Sequence, residues 1–208
     1  KGLFATDASI YQQKPLAVVF PRTVEEVQRA LQIANEFGVP VLPRAGGTSL
    51  AGQTTAADAL VVDISKYMDK FLELNHDEKY VIVEPGLIRD QLNAAIAKDG
   101  LQFAPETSTS NRANLAGMIG NNSSGMMSIR YGKTIDHTLG LEVVLPDGTT
   151  TWFGRREEMD EKGREYLDKL QEIINKNRSL IEEHFPKVMR RVGGYSLDEF
   201  LGEDPNLA

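Results

Sequence analysis

The chain has 208 residues, no cysteine and a formal net charge of −7. Because disulfides, thiolate metal sites and iron–sulfur clusters need cysteine, the composition excludes them within this stretch, and no metal site is predicted. The negative charge argues against a nucleic-acid surface, which depends on lysine and arginine, and no apolar run reaches membrane-spanning length. The first residue is Lys1 rather than methionine, so we expect a piece of a longer protein.

The first part of the chain, residues 1–65, has the pattern of a small α/β subdomain. Thr23 and Glu26 have the spacing of a capping box at the start of a helix. Apolar residues then recur at helical spacing until Gly38, which is a typical helix stop. Strands are predicted at 16–20, 39–43 and 60–64.

A segment rich in glycine and hydroxyl residues, the glycine loop (residues 43–53), separates the second and third of these strands. Glycine permits positive φ and close approach of a ligand to the backbone, and successive amides form a concavity suited to phosphate oxygens. An ordinary connection between strands is the alternative, but the density of glycine favours a phosphate-binding loop. Since Gln53 stands where a P-loop has lysine, and a strand rather than a helix follows, the loop is neither a P-loop nor a dinucleotide-binding turn.

A second subdomain is predicted over residues 66–155 and a helical extension over 156–208. Pro146-Asp147-Gly148 between two predicted strands indicates a β-hairpin. The second subdomain is expected to contain strands at 71–74, 80–83, 141–145 and 149–153 and a helix at 88–98 that ends at Gly100. The extension is expected to form one or two amphipathic helices with an apolar stripe of Leu167, Leu170, Ile173, Ile174 and Ile181.

The second loop (residues 104–125) is dominated by small, amide and hydroxyl side chains. So long a stretch without strong helix or strand signal is uncommon in a compact domain unless it binds something; a pair of surface loops is the alternative. Arg130 and Tyr131 follow it. The arginine suits an anionic partner or a surface ion pair, and the tyrosine suits a stacking surface or the core.

Several of these segments together resemble a known family. Arg44–Gly52 resembles the pyrophosphate loop of the FAD-binding domain in the vanillyl-alcohol oxidase / p-cresol methylhydroxylase (PCMH-type) superfamily. Residues 115–125, 129–132 and 141–148 resemble its second flavin-contacting segment and the strand pair after it, and 191–198 resembles the link toward a substrate domain. The resemblance is to FAD-linked D-2-hydroxyacid dehydrogenases, such as the glycolate oxidase flavin subunit and D-lactate dehydrogenase. It implies an α+β fold of two α/β subdomains, with amphipathic helices near the C-terminus.

The resemblance also implies an FAD site built from both loops. The glycine loop would hold the pyrophosphate, residues 105–107 would lie near the phosphate and ribose, and the backbone of Val143 would meet the adenine. Thr48 stands where many members carry the histidine that binds flavin covalently, so non-covalent FAD is implied. The implied cofactor-binding residues are Pro43, Arg44, Ala45, Gly46, Gly47, Thr48, Ser49, Gly52, Gln53, Pro105, Glu106, Thr107, Gly117, Asn121, Asn122, Ser124, Gly125, Tyr131 and Val143.

The activity implied by the resemblance is hydride transfer from a D-2-hydroxy acid to the flavin, giving the 2-oxo acid. No catalytic residue is predicted, because most would lie in a following substrate domain; Arg130 and His137 are the local candidates for a group near the flavin. The same fold in a sugar or alcohol oxidase, in an enolpyruvyl reductase, or in a non-catalytic flavin-binding module stays open. We also expect a cytoplasmic protein, with peripheral membrane association and a fused iron–sulfur segment allowed, and an apolar strip that drives self-association of this piece.

Overall fold

A computed structural model describes residues 1–191 and 193–208; Val192, within the predicted link, lies outside the described residues. The chain divides into two compact units. Unit 1 comprises Lys1–Thr134 and Pro146–Gly148, and unit 2 comprises Ile135–Leu145 and Thr149–Ala208. The predicted division into 1–65, 66–155 and 156–208 stays a prediction.

Strands and helices follow one another in groups along the described chain. The strands are β1 (Ala17–Val19), β2 (Val41–Arg44), β3 (Leu60–Asp63), β4 (Phe71–Asn75), β5 (Tyr80–Val83), β6 (Leu141–Val144) and β7 (Thr150–Phe153). The helices are α1 (Val24–Glu36), α2 (Arg89–Ile96), α3 (Leu115–Gly120), α4 (Ser128–Tyr131), α5 (Glu161–Lys176) and α6 (Arg178–His184).

The parallel sheet of unit 1 has the order β1-β3-β2 and carries the glycine loop at one edge. Its central strand β3 is buried along its whole length, as the apolar run predicted. Helix α1 packs Ala30 and Ala34 against this sheet. Thr23 caps the helix by accepting a hydrogen bond from the Glu26 amide, and the Glu26 carboxylate accepts from the amide of Arg22 rather than that of Thr23. The helix cap therefore forms as predicted, except that the Glu26 side chain binds the amide one residue before the N-cap.

A second core in unit 1 lies around α2 and α3 and includes Leu87, Leu92, Ile96, Ala113, Leu115 and Met118. The prediction that 104–125 lacks helix is wrong for α3. Its sequence has three weak helix formers, but Leu115 and Met118 lie three positions apart and are both buried, so tertiary packing stabilises a turn that propensity alone does not. The predicted stop at Gly100 is confirmed, with a left-handed φ of +68°.

Unit 2 contains the predicted hairpin of β6 and β7, followed by α5 and α6. Leu167, Ile174 and Ile181 are buried as predicted. Ile173 is not: 55% of its surface is exposed. Neighbouring residues point about 100° apart on an α-helix, so only one of the Ile173–Ile174 pair faces the core.

Asp160 is the N-cap residue of α5, and its contribution to the stability of the helix can be tested. Its carboxylate accepts hydrogen bonds from the Thr151 hydroxyl (2.5 Å) and the Gly163 amide (2.7 Å). These bonds, that from Thr151 first, lower the pKa of Asp160 below its ordinary value. A lowered carboxyl pKa stabilises the fold above the unfolded pKa of about 4 and loses that effect as pH falls through the folded value.

Asp160→Ala is therefore expected to lower the melting temperature at neutral pH and to approach wild type as pH falls below about 4. Thermal unfolding of both proteins across pH measures this. Glu157→Ala, an exposed carboxylate just before the helix, serves as the control. An equal difference at every pH would contradict the assignment.

Candidate cofactor site

The glycine loop starts where β2 ends, at the carboxyl edge of the parallel sheet. Gly47 and Gly52 have φ of +62° and +83°, in the left-handed region that favours glycine. Within the described residues, the amides of Gly46, Gly47, Thr48 and Ser49 donate to no other group. Four successive amides without protein acceptors are suited to an anion such as pyrophosphate.

The glycine loop and the second loop pack directly against each other. A Cβ on Gly46 would lie 2.6 Å from the carbonyl oxygen of Arg112, so this position has no room for a side chain. A Cβ on Gly117, at the start of α3, would lie 3.3 Å from the Ala45 Cβ. At the other end of the contact, the Gln53 side chain donates to Asn121 Oδ1 at 3.1 Å. The structure thus brings together two segments that the sequence predicted to act together.

At the C-terminal end of the second loop, the backbone around Gly125 packs against the backbone around Glu106. A Cβ on Gly125 would lie 2.6 Å from the carbonyl oxygen of Glu106. The Glu106 carboxylate accepts a hydrogen bond from the Met127 amide at 3.2 Å, and the Thr134 hydroxyl donates to the Ser123 carbonyl at 2.7 Å. These contacts place 105–107 beside 123–125, the two predicted parts of the site.

A buried arginine lies under each loop. Arg89, on α2, donates from Nε to the Pro105 carbonyl at 2.6 Å and from Nη2 to the Phe103 carbonyl at 3.4 Å. Sequence reasoning missed Arg89. The available signal was its position on the same helical face as Leu92 and Ile96, where a charged residue needs buried partners.

Arg44 fixes the glycine loop in the same way. Its guanidinium donates to the carbonyls of Thr6 (2.8 Å), Thr54 (3.0 Å) and Phe4 (3.4 Å). Among the described residues no carboxylate forms an ion pair with it. The described residues thus bring a buried positive charge without a carboxylate partner close to four amides without an acceptor, and both features favour an anion.

The remaining predicted residues are less closely tied to the loops. Tyr131 is partly exposed and lies beside Arg130, whose Cζ is 5.2 Å from the centre of the ring. Val143 belongs to β6 of unit 2, opposite Thr151, and His137 belongs to the short 3-10 helix Ile135–His137 of the same unit. Their roles toward a cofactor stay predictions.

Residues 15–154 match a family model described as an FAD binding domain, which covers more than half of the chain. The chain belongs to the FAD binding domain family. This FAD binding domain is 40% identical, over 96% of the chain, to the D-2-hydroxyglutarate dehydrogenase of Pantoea ananatis, of which it covers 20%. It is 37% identical to glycolate oxidase subunit GlcD of Bacillus subtilis, over 66% of the chain and 29% of that protein.

The FAD binding domain also resembles solved structures in its fold. Its fold matches that of p-cresol methylhydroxylase with a TM-score of 0.65 and 24% sequence identity, over 73% of this chain and 30% of that one. The predicted PCMH-type fold and its cofactor, FAD, are thereby confirmed. The chain spans about a fifth of the length of the D-2-hydroxyglutarate dehydrogenase named above. None of its described helices is both long and apolar enough to cross a membrane.

Proposed function

We propose that this chain is the FAD-binding part of an FAD-linked dehydrogenase that oxidises a D-2-hydroxy acid, of the lactate, glycolate or 2-hydroxyglutarate class, to the 2-oxo acid. The observation that carries the proposal is the identity of 40% to a D-2-hydroxyglutarate dehydrogenase along 96% of the chain. The described site supports it, because both loops present backbone amides and small side chains of the kind that hold a dinucleotide.

The chain's own residues have a binding and orienting role in this proposal. The amides of Gly46–Ser49 hold the pyrophosphate, while Glu106, Asn121 and Ser124 line the adjoining part of the cofactor. When bound, FAD supplies the hydride acceptor. Thr48 stands at the position of the covalent histidine, and a threonine hydroxyl does not form that bond, so FAD is held non-covalently. Acid precipitation should then release all of the flavin into solution.

A further part of the protein would complete the site. The substrate's carboxylate and hydroxyl groups would be bound mainly by a C-terminal substrate domain, consistent with a chain that spans 20% of its relative. Met126 and Ile129, next to the second loop, are 82% and 81% exposed and suit contact with such a domain. Self-association of the isolated piece, a fused iron–sulfur segment and a cytoplasmic location remain predictions.

Anaerobic reduction of the flavin in the full-length protein tests the proposed reaction. D-2-hydroxyglutarate, D-lactate and glycolate are offered separately, with L-2-hydroxyglutarate and L-lactate as matched controls. We expect at least one D-2-hydroxy acid or glycolate to bleach the flavin spectrum, and the L-enantiomers to leave it unchanged. Reduction by sugars, alcohols or NADPH instead would favour an oxidase or an enolpyruvyl reductase, and no reduction by any of these would favour a non-catalytic module.

A further inference from the structure

The N-terminal segment (residues 4–13) lies outside the residues that match the family model, which begin at 15, and none of it was predicted to serve the cofactor. In the structure it lies along the glycine loop. It is closed on itself by a hydrogen bond from the Gln13 amide to the Ala5 carbonyl (2.8 Å). Two of its carbonyls, those of Phe4 and Thr6, accept from Arg44.

Three further contacts join the segment to the glycine loop and to Thr54, the residue that follows the loop. The Ala8 amide donates to the carbonyl of Gly47 at 3.2 Å. The Asp7 carboxylate accepts from the Thr54 hydroxyl at 2.9 Å, and the Tyr11 ring covers the space that a side chain on Gly52 would fill. The segment thus contacts the loop at the two glycines with left-handed φ.

The bond from Ala8 has a geometric consequence. In a planar trans peptide the C=O and the following N–H point in opposite directions. Because the Gly47 carbonyl is held toward the N-terminal segment, the Thr48 amide must point to the opposite side of the loop. That amide is one of the four without a partner among the described residues.

Asp7 fixes the part of the segment that supplies this donor. Its other oxygen accepts from the Ser9 amide at 2.8 Å, so the carboxylate holds the turn around Ala8 and ties it to Thr54. Burial raises the pKa of Asp7, but the hydrogen bonds from Ser9 and Thr54 outweigh it and keep the pKa below its ordinary value. The acceptor is therefore ionised at neutral pH.

We propose that Asp7 and Ala8 are positioning residues for the FAD pyrophosphate: they hold the Gly47–Thr48 peptide with its N–H facing the cofactor. They act through the loop and do not touch FAD. The inference rests on the proposed FAD site at the glycine loop. It assigns a role in cofactor binding to a segment that precedes the matched domain.

The test measures the dissociation constant for FAD in full-length apoprotein carrying Asp7→Ala or Ala8→Pro. Loss of one hydrogen bond to a charged group corresponds to about a tenfold weaker affinity. We expect the dissociation constant for FAD to rise by at least this factor in both variants. Asp7→Asn keeps one acceptor oxygen and should recover part of the affinity. Ile10→Ser is the matched control, since this residue of the same segment is 95% exposed and should bind FAD like wild type.

A second readout separates positioning from general destabilisation. The ³¹P resonances of bound FAD report the hydrogen bonds on its pyrophosphate, and they should shift in Ala8→Pro and Asp7→Ala but not in Ile10→Ser. Unchanged affinity in both variants, or weaker affinity with unchanged ³¹P resonances, would overturn the inference. Failure of the wild-type protein to bind FAD would instead overturn the proposed function.

Discussion

Gly47→Ala is expected to weaken FAD binding by at least about a hundredfold, the effect of losing two hydrogen bonds to a charged group. Two causes act together. Gly47 has φ of +62°, and an alanine there is strained by about 1 kcal/mol. Its Cβ would also lie 2.6 Å from Arg44 Nη2, which is held by the Thr6 carbonyl and cannot move without losing that bond. The loop must therefore change shape at the amides that we propose hold the pyrophosphate.

Gly38→Ala is the matched control, because it introduces similar backbone strain away from the glycine loop. Gly38 has nearly the same φ, +63°, but a Cβ there would meet nothing within 4 Å. Gly38 follows the C-terminal end of α1 and lies outside the glycine loop. We expect this variant to lose about 1 kcal/mol of stability through the same backbone strain and to bind FAD normally.

An FAD titration followed by the flavin spectrum compares the two variants with wild type in the full-length protein. Wild type should show flavin that acid releases intact, and the Gly47 variant should show almost none after gel filtration. Equal retention of FAD by both glycine variants would mean that the shape of the loop at Gly47 does not control binding.

The sequence was informative wherever local chemistry decides the structure. Glycine density identified the glycine loop, alternation of apolar runs and turn residues located the seven strands of the described residues, and Thr23 identified the start of α1. Helix α3 was missed because its stability comes from Leu115 and Met118, which pack in a core with Leu92 and Ile96 of the earlier helix α2.

The contacts that support the site could not be predicted from the sequence, for a related reason. The pairings of Arg44 with Thr6 and of Arg89 with Pro105 join a charged side chain to backbone carbonyls, which every residue possesses. No residue type therefore marks the partner. Arg44 was predicted to belong to the site as part of a motif, but its position beneath the loop follows only from the fold.

Arg44→Met is expected to lower the free energy of unfolding by about 3 kcal/mol and to weaken FAD binding more than a hundredfold. The stability loss corresponds to two hydrogen bonds from a charged donor, those to the carbonyls of Thr6 and Thr54, at about 1.5 kcal/mol each. The affinity loss has a second source. A buried cation without a carboxylate partner attracts the two negative charges of the pyrophosphate, and methionine removes that charge.

Urea unfolding of the apoprotein and FAD titration measure the two effects separately. Arg29→Met, on the exposed side of α1, applies the same substitution to a surface arginine and should change neither quantity much. An Arg44→Met protein with wild-type stability would show that the three carbonyl contacts do not hold the loop.

Arg44→Lys distinguishes the charge of this residue from its geometry. An ammonium group keeps the positive charge, but it lacks the planar fork that lets the guanidinium reach the carbonyls of Thr6 and Thr54 at once. We therefore expect a stability loss close to that of Arg44→Met, together with FAD affinity between those of Arg44→Met and wild type. The retained part should decrease with added salt, because it arises from attraction between charges rather than from the shape of the loop. Arg44→Lys could instead bind FAD as weakly as Arg44→Met at every salt concentration. Arg44 would then contribute to binding only through the conformation that it gives the four amides, and not through its charge.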